Sequence, residues 1–452
     1  MLLGDDVRDF EFVWRTYDCC DAKAIVYPAS TDQLAAVLRL CNESGQTVVP
    51  FGGLTGLVQG CQTSPDDIAL SLEKMNQIEE LDSTAHTMTV QAGVTMQQAQ
   101  EAAESGGLFF PVDIGARGNC MLGGNVATNA GGTKVIRYGM MRDSVLGLEA
   151  VLADGTIISS MNRYIKNNSG FDLKHLFIGT EGVLGIITRI VFRLVVKPRS
   201  HNVALLACGS FEDVVAILNK SKKSLGSTLC GFEVMWANFY KKAVKPIGPL
   251  ESPLPIDYPL YAIVESMGTN LQADDREFES EMSQIFEGDL ALDGVIAKSG
   301  KERDAIWAIR GQVEWLVAEA LNFDVSLRSA DVGQYVSEVS DRIEKDVPNV
   351  LVAAFGHLGD NNIHISVLAD GCKTVHSQVI EKHVYESLLP FDGAISAEHG
   401  IGLEKKAYLS ISRTAEEIGL MKSLKKMMDP NNILNPGKVI DGAGANLPNL
   451  PN

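Results

Sequence analysis

At 452 residues the chain exceeds what one hydrophobic core usually serves, so at least two domains are expected. Apolar content of 45% and charged content of 21% are ordinary for a globular protein and exclude a mainly disordered chain. A formal charge of −18, with no basic run beyond pairs such as Lys405-Lys406 and Lys425-Lys426, argues against nucleic acid or an anionic membrane as partner and leaves small molecules or proteins.

The N-terminal stretch MLLGDDVRDFEF is acidic and lacks both the basic start and the apolar core of a signal peptide. No apolar run reaches the ~18 residues of a transmembrane span. Cys19, Cys20, Cys41, Cys61, Cys120, Cys208, Cys230 and Cys372 are scattered without a C-x-x-C pair, which fits a reducing compartment better than a disulfide framework. A cytoplasmic protein is expected, or a mature chain of the mitochondrial matrix.

In chain order, Thr31 and Asp32 open a helix of period near 3.6 (Leu34, Val37, Leu38, Leu40) that stops at Gly45, and the β-branched run 47–49 follows. The glycine loop Pro50-Phe51-Gly52-Gly53-Leu54-Thr55-Gly56 comes next. A second pass places an alternating strand at 87–91 and a helix from Thr95 to Ser105, closed by Gly106-Gly107. A Gly-rich region at 115–132 precedes strand-like runs near 145–153 and 183–196, which completes one α+β domain at 20–198. Lys197-Pro198-Arg199 marks a boundary. Strands near 203–206 and 261–264 and a long helix at 301–321 belong to a second domain, 199–393. From 394 to 452 the chain carries Gly turns, a basic helix and the stop Asp429-Pro430, and reads as a segment returning to the first domain.

Consecutive glycines after a strand let backbone N–H groups converge on a phosphate, because no Cβ obstructs the fold of the loop. The first loop is neither a P-loop nor a G-x-G-x-x-G fingerprint, and alone it fits a phosphate cradle or a plain tight turn equally. A second loop, Pro111 to Gly132, follows one αβ unit later, and two phosphates need two cradles. With Gly179-Thr180-Glu181-Gly182-Val183-Leu184-Gly185-Ile186-Ile187-Thr188, these segments resemble the FAD-binding domain of the vanillyl-alcohol-oxidase superfamily.

The resemblance implies a two-lobed PCMH-type FAD-binding domain with an α+β substrate-binding cap. It places FAD on Pro50, Gly52, Gly53, Leu54, Thr55, Gly56 and Leu57 of the first loop. From the second loop it adds Pro111, Asp113, Gly115, Gly118, Gly123, Gly124, Asn125, Thr128, Asn129, Gly131 and Gly132. Glu181, Gly182, Gly185, Ile186, Ile187 and Asn435 complete the set. Some relatives tether the flavin through a His after the first Gly pair; Leu54 stands there, so non-covalent FAD is expected.

The segment 354–367, AFGHLGDNNIHISV, has a hairpin turn at Gly359-Asp360-Asn361-Asn362. A four-residue loop sets Leu358 opposite Ile363 and His357 opposite His364, with Cβ atoms ~4.5–5.5 Å apart and Ser366 on the same face. Glu398-His399 follows in a later Gly turn. Two His and a carboxylate make an open metal site, and a satisfied core His pair is the bland alternative.

From about 20 to 440 the sequence is similar to the D-2-hydroxyglutarate and D-lactate dehydrogenase family, through GGNVATNAGG, LFIGTEGVLGIIT, GHLGDNNIHI, SAEHGIG and ILNPGK in order. The resemblance implies Zn2+ on His357, His364 and Glu398, and His399 as catalytic base. A D-2-hydroxy acid chelated by the metal would lose its proton to His399 and a hydride to flavin N5. The acceptor after the flavin is an electron-transfer flavoprotein or a quinone system, and a homodimer is the base-rate expectation.

Arg310 matches a substrate-carboxylate Arg. Three neighbouring substrate positions depart from the hydroxyglutarate pattern: Glu314 stands for a small hydroxyl residue, Asn322 for a Lys and Ser366 for an Asn. A lost charge-assisted bond is worth roughly 1.5 to 3 kcal/mol, so D-2-hydroxyglutarate, D-malate and D-lactate stay open, with Arg328 as a compensating cation. A flavin-dependent alkyl transferase of the same fold, a metal-dependent hydrolase and a non-catalytic flavin protein are the rival readings.

Overall fold

A computed structural model describes residues 1–3, 5–8 and 20–441. Cys19, the N-terminal stretch past residue 8 and the end of the 394–452 segment lie outside them. Among the described residues no helix is long and apolar enough to cross a membrane.

The first sheet holds β1 (Leu2–Leu3), β2 (Ala24–Val26), β3 (Val48–Phe51) and β4 (Ile68–Ser71) in the order β1-β2-β4-β3, with β2, β4 and β3 parallel. The Thr31–Ser44 helix supplies the crossover between β2 and β3. Ser30 caps it by accepting from the Gln33 N–H, and Gly45 ends it in the left-handed region at φ 67°.

The second sheet is antiparallel and made of β5 (Ile78–Asp82), β6 (Thr87–Gln91), β8 (Val145–Val151), β9 (Ile157–Ser160) and β10 (Ile186–Arg193), ordered β5-β6-β10-β8-β9. Short strands β7 (Leu108–Phe109) and β11 (Val195–Val196) pair beside it. The alternating stretch at 87–91 is a strand as expected, with Thr87 to Val90 all buried and β6 flanked in the sheet by β5 and β10. One apolar core joins both sheets to the Thr31–Ser44 and Met96–Ser105 helices.

The third sheet contains β12 (Ser200–Cys208), β13 (Leu229–Trp236), β14 (Leu260–Gly268), β15 (Asp293–Ile296), β16 (Leu321–Ser326), β17 (Leu351–Gly356) and β18 (Asn362–Leu368). Its order is β15-β12-β14-β13-β17-β18-β16, antiparallel throughout. Ala204, Leu206, Phe232, Val264, Phe323, Val325, Ile363 and Ile365 point to one face and pack under the Phe211–Ser224, Leu271–Glu287, Val332–Asp346 and Ser377–Glu386 helices. A strand alternates faces with period two, so Glu233, Glu265, Asn322, Asp324, Phe355, His364 and Ser366 share the other face.

The expected helix at 301–321 is two helices, Gly300–Arg310 and Glu314–Glu319. Gly311 ends the first, and after Ala320 the chain enters β16. In Asn322-Phe323-Asp324-Val325 the polar-apolar alternation has the period of a strand, not of a helix. The C-terminal part returns to the first sheet: Leu434 bridges Val48 in parallel, and Val48 donates to the Ile433 carbonyl at 2.8 Å.

Candidate active site

A cavity of about 820 Å³ lies between the glycine loops of the first two sheets and the polar face of the third. Its loop side contains Pro50 and Gly52 to Leu57, then Asp113, Gly115, Gly123, Gly124, Asn125, Thr128, Gly131 and Gly132. Glu181, Gly182, Gly185, Ile186, Ile187 and Asn435 line it as well. Glycine is required at two points: a Cβ on Gly53 would overlap the Asn119 carbonyl, and one on Gly132, at φ 130°, would overlap the Asp113 carbonyl.

Three residues expected on the cofactor do not line the cavity. Pro111 is buried behind it, and Gly118 sits on an exposed turn beside Gln97. Asn129, at φ 51°, spends its Oδ1 accepting from the Arg142 N–H at 2.9 Å, so it fastens the turn. Glu181 faces the cavity wall, but its carboxylate accepts from the N–H groups of Ile401 (2.7 Å) and Gly402 (3.0 Å) and ties the later Gly turn to this loop. Burial pushes the Glu181 carboxyl above its ordinary range.

The donor set suits an extended flavin nucleotide. Two glycine loops supply close backbone approach, and Asn435 leaves its buried Oδ1 with no protein partner at the cavity wall while its Nδ2 holds the Glu181 and Gly60 carbonyls at 2.8 and 3.1 Å. A buried acceptor of this kind calls for a ligand donor.

On the sheet side His357, His364 and Glu398 meet, with one ligand atom from each lying within 4.8 Å of the others. Glu398 Oε1 is 3.6 Å from His364 Nε2 and 3.9 Å from His357 Nε2. The hairpin register differs from the expected one: His364 pairs with Phe355, and Leu358–Asp360 form a 3-10 turn closed by Asn361 at φ 76°. His357 is therefore two residues past the partner of His364. A shift of two preserves the face, which is why the imidazoles still meet edge-on with centroids 5.4 Å apart.

Two buried carboxylates organise these groups. Glu233 on β13 accepts from His357 Nδ1 at 2.6 Å and from Arg310 Nε at 2.7 Å, so His357 turns Nε2 toward the cluster. Burial alone would raise the Glu233 carboxyl, but His357 and Arg310 outweigh it and hold it at about 2. Burial and the neighbouring His357 charge hold His364 well below the usual imidazole range, whereas at His357 the Glu233 carboxylate outweighs burial and pushes the imidazole up to about 9, so a metal on this cluster would displace the His357 proton.

Asp324 on β16 is fully buried. One carboxylate oxygen accepts from the N–H groups of Ala397 (2.9 Å), Glu398 (2.7 Å) and His399 (2.9 Å), and the other faces His399 Nδ1 at 3.1 Å and Lys405 Nζ. Burial opposes its charge, yet His399 and Lys405 keep it well below the ordinary range. His399 lines the cavity with Nδ1 engaged, which leaves Nε2 as its proton-accepting atom.

Arg310 also lines the cavity, its guanidinium 4.6 Å above the Phe355 ring. Asn322 and Ser366 line it beside His364. Glu314 does not: it is exposed at the start of the Glu314–Glu319 helix, whose phase is reset after Gly311 so that Leu316 faces inward. Arg328 is also outside, paired with Asp331 at 2.6 Å and exposed.

Sequence reasoning missed Glu233, Asp324 and the group around Glu265, where Lys134, His201 (2.6 Å) and Trp307 (3.1 Å) converge on one carboxylate. Lys134 follows Gly131-Gly132-Thr133, so this ion pair joins a glycine loop to the cap sheet. The available signal was a charged residue inside an otherwise apolar alternating strand, as in FEVMW and AIVESM.

Residues 22–160 match the FAD binding domain family, and residues 197–439 match FAD linked oxidases, C-terminal domain. A D-2-hydroxyglutarate dehydrogenase from Xanthomonas citri pv. viticola is 36% identical over 436 residues, covering 94% of this chain and 91% of that protein. The mitochondrial D-2-hydroxyglutarate dehydrogenase of Danio rerio is 36% identical over 422 residues, covering 92% and 78%. The solved structure of p-cresol methylhydroxylase with substrate bound superposes with a TM-score of 0.76 at 17% identity, covering 97% of this chain and 95% of that one, which shows a shared fold.

Proposed function

The chain belongs to the FAD-linked oxidase family, in the branch of the D-2-hydroxyglutarate dehydrogenases, and from that premise we infer that it oxidises a D-2-hydroxy acid to the 2-oxo acid with FAD. The observation that carries the reading is one cavity wall on which His357, His364, Glu398 and the Asp324–His399 pair face the glycine loops.

His357, His364 and Glu398 would hold a divalent ion, zinc by donor chemistry, and leave positions open for substrate oxygens. When bound, zinc would supply the acidity that weakens the α-hydroxyl O–H, and FAD would supply the acceptor for the C2 hydride. Arg310 clamps a substrate carboxylate with the guanidinium nitrogens that Glu233 leaves free. His399 takes the hydroxyl proton at Nε2, while Asp324 fixes the tautomer that makes this nitrogen bare. The base therefore works without leaving its hydrogen bond. Glu181 and Asn435 close the loop side of the cavity, and the Lys134–Glu265 pair holds it against the cap sheet.

FAD is held without a covalent bond, since Leu54 occupies the tethering position. Reoxidation falls to an electron-transfer flavoprotein or quinone system, in the cytoplasm or, for a eukaryotic mature chain, the mitochondrial matrix. The alkyl-transfer reading is disfavoured by relatives named as dehydrogenases and by the Glu398-His399 pair.

The test is anaerobic bleaching of the yellow protein by a D-2-hydroxy acid. Activity should vanish on chelation and return with zinc, and His399→Ala should keep colour and metal while bleaching at least ~10²-fold more slowly. Full turnover in metal-free protein would remove the chelation step; an unchanged rate in the variant would remove His399 from its role.

A further inference from the structure

The substrate end remote from C2 has its own wall, and the role of that wall rests on the dehydrogenase reading. Ser366 lies two residues along β18 from His364, on the same face, and its register partner on β16 is Asn322; both line the cavity. Their polar atoms are already committed. Ser366 Oγ donates to Asn322 Oδ1 at 2.7 Å, and Asn322 Nδ2 gives its two protons to the Leu316 and Ala320 carbonyls at 2.8 and 3.1 Å. Those two carbonyls fix the amide, because the flipped form would set oxygen against oxygen.

The pair thus presents lone pairs and no proton. A carboxylate arriving here could take a proton only by pulling the Ser366 hydroxyl off Asn322 Oδ1, which would leave that acceptor unpaired in a buried wall. Val313, Leu316 and Phe355 continue the surface with apolar groups. Nor is a second cation free on this cavity among the described residues: Lys134 is taken by Glu265, Arg117 by Asp113 and Lys197 by Glu104. Arg310 and Arg117 each give only Nε to a carboxylate, Glu233 and Asp113, but Arg310 stands in the cap beside this wall whereas Arg117 belongs to the second glycine loop and is half exposed.

We propose that this wall serves one carboxylate per substrate, so the substrates are D-2-hydroxy monoacids whose tail is apolar or ends in a neutral hydrogen-bond donor. Oxidation still removes a hydride from C2 to FAD and a proton from the hydroxyl to His399; only the tail is specified.

The test uses FAD- and zinc-loaded wild-type protein under anaerobic conditions with D-2-hydroxybutyrate, D-2-hydroxyvalerate, D-malate and D-2-hydroxyglutarate. Bleaching per unit concentration should be at least ~10-fold faster for the monoacids. Calorimetric binding of 2-oxobutyrate should exceed that of 2-oxoglutarate by a similar factor. Asn322→Lys should shift the ratio toward the diacid by ~10-fold or more, and the wild-type panel decides even if that variant misfolds. A diacid that bleaches or binds as well as the monoacids overturns the inference and leaves the dehydrogenase reading standing. No bleaching by any D-acid in yellow, zinc-loaded protein overturns both.

Discussion

Asp324→Asn separates the charge of this residue from its shape. In the native chain one oxygen receives three backbone N–H groups at 2.7–2.9 Å and the other faces His399 Nδ1 and Lys405. An amide must turn its NH2 either toward those N–H groups or toward His399 and Lys405, and each choice sets donor against donor. If it faces His399, the imidazole moves its proton to Nε2 and the bare nitrogen points away from substrate. General-base help is worth ~10²–10⁴-fold, so kcat should fall within that bracket. Lys405, buried without its counter-ion, adds a stability loss of roughly 3–5 kcal/mol. Stopped-flow bleaching at saturating acid, beside zinc content and a thermal melt, reads the two effects apart. A variant that melts early yet retains wild-type kcat would refute the reasoning, because it would show that Asp324 supports the fold and not the base.

Gly53→Ala should give pale or colourless protein, since the new methyl overlaps the Asn119 carbonyl; FAD stoichiometry by absorbance checks this, and full FAD content would exclude the close approach. Glu265 is held at about 2 because Lys134 and His201 outweigh the burial that opposes its charge. Its folded value lies below the ordinary ~4.3, so the unfolded chain takes the proton first. The stabilisation is therefore complete above pH ~4.5 and disappears as pH falls toward 2. Denaturant midpoints of Glu265→Gln should be lower than wild type at pH 7 and converge with it near pH ~2–3; a constant gap across that range would contradict the assignment.

Much of this was legible in the sequence because its signals are local. The glycine loops and the His-x₆-His hairpin advertise themselves by composition, and the helix starts near Thr31 and Thr95 follow from turn chemistry. What stayed hidden depends on pairing. The hairpin loop could not be counted correctly until Asn361 was seen in the left-handed region, yet His357, His364 and Glu398 still meet because a slip of two keeps the face. Asp324 was missed because the strand Leu321–Ser326 was not recognised once a helix had been carried past Gly311 to 321. Glu233 and Glu265 stand out as charges in apolar strands, but their partners could not be read, since His357 and Lys134 lie 124 and 131 residues away. Glu314 shows the reverse error: matched position by position, it lands outside the cavity because helix phase, not alignment, decides which side it faces.

The Ser396–Gly402 turn hangs from two anchors, Asp324 in the cap sheet and Glu181 beside the second glycine loop. Neither half of the polypeptide can mature its reactive centre alone. The reactive centre is complete only with those distant stretches docked, and a lesion at either anchor would disturb the chemistry without touching a single reacting atom.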